Sequence, residues 1–100
     1  MTSQDYASGM WLVRAGMEDA FIDRWREWLT MSSSGVEGFG GAHLLRSSDD
    51  PKRFVSYSGW SDAAARDAWK QGPGFTEGFA ACRGFCDDFQ GGDFTEIVRV

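Results

Sequence analysis

The chain has 100 residues, 42% of them hydrophobic and 15% aromatic, with five tryptophans and a formal net charge of -5. That length supports one domain with one modest core, here unusually rich in rings. An acidic surface repels phosphate backbones and argues against a nucleic-acid partner, and no apolar run approaches the roughly 20 residues of a membrane-spanning helix.

The opening MTSQDYASG is polar and lacks the apolar stretch of a signal peptide. Residues 1–9 are therefore expected to form a flexible tail before a domain at 10–100 in a cytoplasmic protein. Met10 to Val13 reads as a first strand, broken at Ala15-Gly16. From Met17 to about Met31 the period is helical: Phe21, Trp25, Trp28 and Leu29 form one apolar stripe, and Glu18 and Asp19 sit in the first turn, where acids suit the helix dipole. Ser32-Ser33-Ser34-Gly35 closes that helix. A second strand is expected over 39–46, with Gly40 and Gly41 marking a bulge, and the turn at Ser47 to Arg53 leads back antiparallel.

The third strand, Phe54 to Trp60, sets Phe54, Ser56, Ser58 and Trp60 against Val55, Tyr57 and Gly59 at the two-residue period of a sheet. Ser61 is placed to cap a helix over 62–71 whose Ala64, Ala65, Ala68 and Trp69 share one side. Gly72-Pro73-Gly74 breaks it, and a third helix is expected from about Phe75 to Cys86. Cys82 and Cys86 then lie one turn apart, a spacing that rarely bridges well, so two buried free thiols are expected. A metal site would need more donors than His43 and scattered acids supply. Asp87 to Gly92 reads as a loop and Phe94 to Val100 as the last strand.

The order β-α-β-β-α-α-β predicts a ferredoxin-like α+β fold: a four-stranded antiparallel sheet with helices on one face. The strands carry large apolar residues on both alternations, Trp11 and Val13 against Met10 and Leu12, Val55 and Tyr57 against Phe54 and Trp60. A sheet apolar on both faces needs a second cover, which predicts a homodimer packed sheet to sheet. Alternation assigns Ser56, Ser58 and Trp60 to the helix side and Tyr57 to the dimer side, and leaves the face of His43 open.

The VRAG turn with its following helix, the GFGGAHLLRS strand and, above all, FVSYSGWSDAAARDAWKQGPGF resemble the antibiotic biosynthesis monooxygenase family of dimeric α/β barrels. The resemblance spans about residues 10–100. It implies a cofactor-free monooxygenase acting on planar aromatic or quinol-like rings, although the family also holds haem-degrading enzymes and members without known activity. The haem-degrading pattern asks for an Asn on the first strand, a Trp ending the third and a His on the last helix. Trp60 matches, but Gly9 to Val13 holds no Asn and Phe75 to Cys82 no His.

Cofactor-free oxygenation asks that the substrate be held, deprotonated and shielded from water while oxygen reacts. Trp60 and His43 are the candidates for the chemical step. Trp11, Ser56, Ser58, Trp69, Phe75, Phe79 and Arg83 are the candidates for substrate contact. The competing reading is a non-catalytic dimer that binds a small hydrophobic molecule or serves as an accessory protein. A cavity above about 300 Å³ with a polar group in reach favours ligand handling.

Overall fold

The computed structural model describes residues 4–100. The chain runs β1 (Asp5–Val13), α1 (Glu18–Ser32), β2 (Phe39–Arg46), β3 (Arg53–Trp60), α2 (Ala63–Lys70), α3 (Pro73–Arg83) and β4 (Cys86–Thr95). The four strands form one antiparallel sheet in the order β2-β3-β1-β4. This is the ferredoxin-like plait, with its second helix split into α2 and α3.

The split follows from local chemistry. Asp62, not Ser61, caps α2: its Oδ1 accepts the Ala65 N–H at 2.8 Å. Ser61 instead donates its own N–H to the Gly38 carbonyl, which ties β3 to the loop before β2. Gly72 caps α3 and Pro73 takes the first helical position, where a missing N–H costs nothing. The break is therefore shorter than expected, and α3 begins two residues before Phe75. On α2 only Trp69 is buried, while Ala64 and Ala68 face out.

Two strands are longer than their apolar cores suggest. β1 begins at Asp5, so residues 5–9 of the expected tail are sheet, and residues 1–3 lie outside the described range. β4 begins at Cys86, so the expected loop at 87–92 is strand, and it ends at Thr95 rather than Val100. In both places glycines and acids sit in the ladder because paired neighbours satisfy the backbone regardless of side chain. Cys82 therefore ends near a helix terminus and Cys86 opens a strand; both thiols are free and buried.

Register fixes which side chains meet. On the helix side Arg46, Phe54, Trp11 and Phe89 form one cross-strand row, and Phe39, Trp60, Asp5 and Thr95 another. Between them lie two rows of mostly small residues: Leu44, Ser56, Gly9, Gly91 and Ala42, Ser58, Ala7, Asp93. The core packs above the large rows, with Trp11, Phe21, Phe54 and Trp60 each 2% exposed or less. The α1 stripe of Phe21, Trp25, Trp28 and Leu29 is buried as its periodicity predicts. α1 and α3 meet where Gly78 lies under Trp28; a Cβ there would stand inside the van der Waals envelope of the indole.

His43 pairs with Tyr57 across β2 and β3, and their rings stack at 4.9 Å on the face away from the helices. Leu44 points the other way, into the core.

Candidate active site

The two rows of small residues leave room over the middle of the sheet, which the Trp11 and Phe89 rings fill in part and the helices bridge. The result is a cavity of about 380 Å³, within the usual range for small-molecule sites. Its floor is Ala7, with the Trp11 and Phe89 rings lying over Gly9 and Gly91 beside it. The two glycines make room for those rings: a Cβ on Gly9 would lie 2.8 Å from both the Phe89 ring and the Trp11 indole nitrogen, and one on Gly91 3.0 Å from the Phe89 ring. Trp11 and Phe89, with ring centroids 4.4 Å apart, close one end. Trp28, Trp69, Phe75 and Phe79 form the roof, with Trp28 and Trp69 stacked at 5.9 Å and Phe75 and Phe79 parallel at 6.0 Å. Such a slot between a flat floor and ring-lined walls suits a planar apolar molecule.

Polar groups enter at two edges. On the β3 edge, Ser56 accepts the Trp11 indole N–H at 2.9 Å and Ser58 accepts the Trp60 N–H at 3.0 Å. Each serine so engaged as an acceptor keeps its O–H to donate. Both are buried. Trp69 donates similarly to Ser32 at 2.9 Å, which fixes α2 against the end of α1. Trp28 differs, since its buried N–H has no hydrogen-bond partner among the described residues. On the β4 edge, Lys70 donates to Asp93 Oδ1, and Arg66 Nε stands 3.8 Å from the same oxygen. Lys70 and Asp93 both line the cavity.

The structure brings Trp11, Ser56, Ser58, Trp69, Phe75 and Phe79 around this one cavity. Three other candidates lie elsewhere. Trp60 is fully buried and does not line the hollow; it stacks on Trp69 at 5.0 Å and supports that wall from behind. His43 is exposed on the opposite sheet face, because strand alternation sends Leu44 rather than His43 inward. Arg83 donates to the Cys86 carbonyl at 3.0 Å and pins the turn from α3 into β4. Cys82 also stays outside the cavity, and burial pushes its thiol up to about 12, so it is a neutral packing group.

Sequence reasoning passed over Gly9, Gly91, Ala7, Lys70 and Asp93. The signal was present in the alternation of Phe89, Gly91, Asp93 and Thr95, but adjacent glycines and acids read more readily as a loop. Trp25, Trp28 and Phe89 were visible as apolar positions, not as cavity wall. Among the described residues no three His, Cys, Asp or Glu side chains converge as a metal site.

The fold has close structural counterparts. SnoaB, described as a cofactor-independent oxygenase from Streptomyces nogalater, superposes in a single-substitution variant with a TM-score of 0.89 at 21% identity, covering 99% of this chain and 98% of that one. A conserved protein from Methanosarcina mazei Go1 matches with a TM-score of 0.84 at 12% identity, over 95% of this chain and 94% of its own. Protein SO0527 from Shewanella oneidensis matches at 0.81 and 18% identity, over 96% and 93%. At these identities the likeness concerns the fold. No curated protein matches the chain in sequence. The model of the family described as antibiotic biosynthesis monooxygenase matches residues 6–81, from the second residue of β1 to the last turn of α3. With three quarters of its length matched, and with the plait that the family's solved members share, the chain belongs to the antibiotic biosynthesis monooxygenase family.

Proposed function

We propose that this protein is a cofactor-independent monooxygenase that takes a planar aromatic or quinol-like molecule into the cavity between sheet and helices. The observation that carries the reading is the cavity itself: about 380 Å³, lined by indoles and phenyl rings, and edged by two serine hydroxyls. Ring faces hold the substrate flat. Ser56 and Ser58 donate to an oxygen that gains negative charge when the substrate loses a proton. The electron-rich anion then reacts with dioxygen. For an anthrone-type methylene the balance is closed: the carbon loses two hydrogens and gains one oxygen as a carbonyl, the O–O bond breaks, and the second oxygen leaves as water. The role left to Trp60 is to hold Trp69 in place.

A homodimer belongs to this proposal. The sheet face away from the helices exposes Met10 (45%), Leu45 (52%), Val55 (37%) and Phe94 (59%) in a single protomer. Register sets these side by side with Tyr6, Tyr57 and His43, and a second copy presenting the same face would cover them.

Oxygen uptake with a panel of anthrones and quinols tests the reaction. The protein is expected to consume oxygen with at least one of them, and Ala7→Leu, which extends from the floor into the cavity, is expected to abolish both uptake and ligand-induced quenching of indole fluorescence. Failure of every substrate to be consumed, with binding retained, would leave the second reading. That reading is a ligand-binding protein without catalysis, and the β3 edge favours it: Ser56, Ser58 and the indole N–H groups give no base on that side of the cavity. Haem titration separates the remaining alternative, and no Soret-shifted tight complex is expected.

A further inference from the structure

We propose that Asp93 is the proton acceptor of this site and that Lys70 positions it, an assignment that rests on the oxygenase reading above. The serine edge can stabilise a developing oxyanion but cannot take the proton that creates it. Among the described cavity-lining residues, the titratable side chains are those of Tyr57, Lys70 and Asp93. The Tyr57 ring lies against His43 on the far face. An ammonium has no acceptor lone pair. The Asp93 carboxylate is left.

Its placement suits the task. Asp93 shares a cross-strand row with Ala7 and Ser58, so it faces the helices from the opposite side of the floor to the serine. Two strand spacings separate them, about 10 Å from Cα to Cα. A fused-ring ligand lying over Ala7, beside the Trp11 and Phe89 rings that cover Gly9 and Gly91, meets a hydroxyl donor at one edge and a carboxylate at the other. Lys70 donates to Asp93 Oδ1 and Arg66 approaches the same oxygen, while no described donor bonds Oδ2. Arg66 is also tied to Asp5 at 3.9 Å and to Asp67 at 3.2 Å, which fixes α2 over the edge of the sheet. One carboxylate oxygen is thus held and the other is open. In the step, the ligand's C–H or O–H bond breaks, its electron pair stays on the ligand as an enolate or phenolate, and the proton forms an O–H bond on Asp93 Oδ2. Lys70 keeps its proton throughout.

The test separates proton transfer from oxygen chemistry. Anthrone is incubated with the protein in deuterated buffer without oxygen, and exchange of its methylene hydrogens is followed by NMR. The natural protein is expected to exchange them faster than buffer. Asp93→Asn is expected to lower that rate by about 10²- to 10⁴-fold, with anthrone binding, read by indole quenching, changed less than threefold. Lys70→Met is expected to slow exchange less than Asp93→Asn while leaving binding intact. Asp88→Asn, on the outer face of the same strand, is expected to leave exchange unchanged. Exchange by Asp93→Asn within threefold of the natural protein would overturn the assignment. If that variant fails to bind, Asp93→Glu decides: exchange at least tenfold above Asp93→Asn supports the assignment, and equal rates overturn it. Asp93-dependent exchange with no oxygen uptake in air would keep the assignment and remove the oxygenase reading; uptake that Asp93→Asn retains would do the reverse.

Discussion

The two faces of this sheet are built from alternate residues of the same strands, yet they solve different problems. The helix face carries large side chains in two rows, Phe54 with Trp11 and Trp60 with Asp5, and mostly small residues in the two rows between them, over which the Trp11 and Phe89 rings lean. The outer face spreads mid-sized apolar residues evenly, with Met10, Val55 and Leu45 in one row and Ser8, Tyr57 and His43 in the next. The helix face is uneven, which makes a hollow. The even face makes a surface that another flat surface can cover. A cavity in a small domain thus depends on where small residues stand in register, not on a shortage of large ones.

The largest expected effect comes from the packed rows. Trp60 is fully buried, stacks on Trp69 at 5.0 Å, packs tilted against Phe39 at 5.2 Å, and donates a hydrogen bond to Ser58. Trp60→Ala is expected to cost about 3–5 kcal/mol of folding stability, measured by denaturant unfolding, and to loosen Trp69 enough to weaken ligand binding. Trp60→Phe keeps a stacking ring and loses the N–H, so a smaller stability loss with oxygen uptake largely retained is expected. Loss of uptake in a stable Trp60→Phe protein would show that the indole acts in the chemistry from behind the wall.

How much of this was legible in the sequence follows from the same contrast. Large residues announce themselves: the α1 stripe, the alternation of Phe54 to Trp60 and the helix break at Pro73 were readable because burial of big side chains imposes a period. The floor was not readable in the same way. Gly9 and Gly91 matter through what they fail to occupy, and a glycine in isolation reads as a turn. Their pairing across β1 and β4 is a register fact, set by strands whose ends carry polar residues and whose extent hydrophobicity does not mark. Asp93 was hidden for a similar reason, since its significance comes from Lys70 on α2, 23 residues away. His43 shows the opposite failure: a lone histidine draws attention by its chemistry, while one position of alternation decides its face.

A middle-sized effect is expected from the outer face. Val55 sits at the centre of the Met10, Val55 and Leu45 row. Val55→Glu would place a carboxylate in the proposed contact between copies, twice in a two-fold dimer. Desolvating each without a partner costs enough to weaken association at least tenfold, or about 1.4 kcal/mol. Light scattering is expected to show the natural protein as a dimer at micromolar concentration and Val55→Glu shifted to the monomer, with the cavity still binding its ligand. A natural protein that is already monomeric at that concentration would mean that something other than a second copy covers this face.

The smallest effect is expected at His43, and it carries the comparison furthest. The imidazole is exposed, stacks on Tyr57 at 4.9 Å, and is separated from the cavity by the thickness of the sheet. His43→Ala removes one cross-strand ring pair, worth about 0.2–1 kcal/mol. Oxygen uptake is expected to stay within twofold. Asp93→Asn, on the other face, is expected to lose most of the rate. These two variants remove a proton-accepting group at nearly the same depth along the sheet but from opposite sides. If His43→Ala lowers uptake tenfold while Asp93→Asn does not, the reacting molecule is held on the outer face, between two copies, and the ring-lined cavity is a packing feature only. If the rates fall the other way, one face of the sheet holds the ligand and the other holds the partner, with no side chain shared between the two tasks.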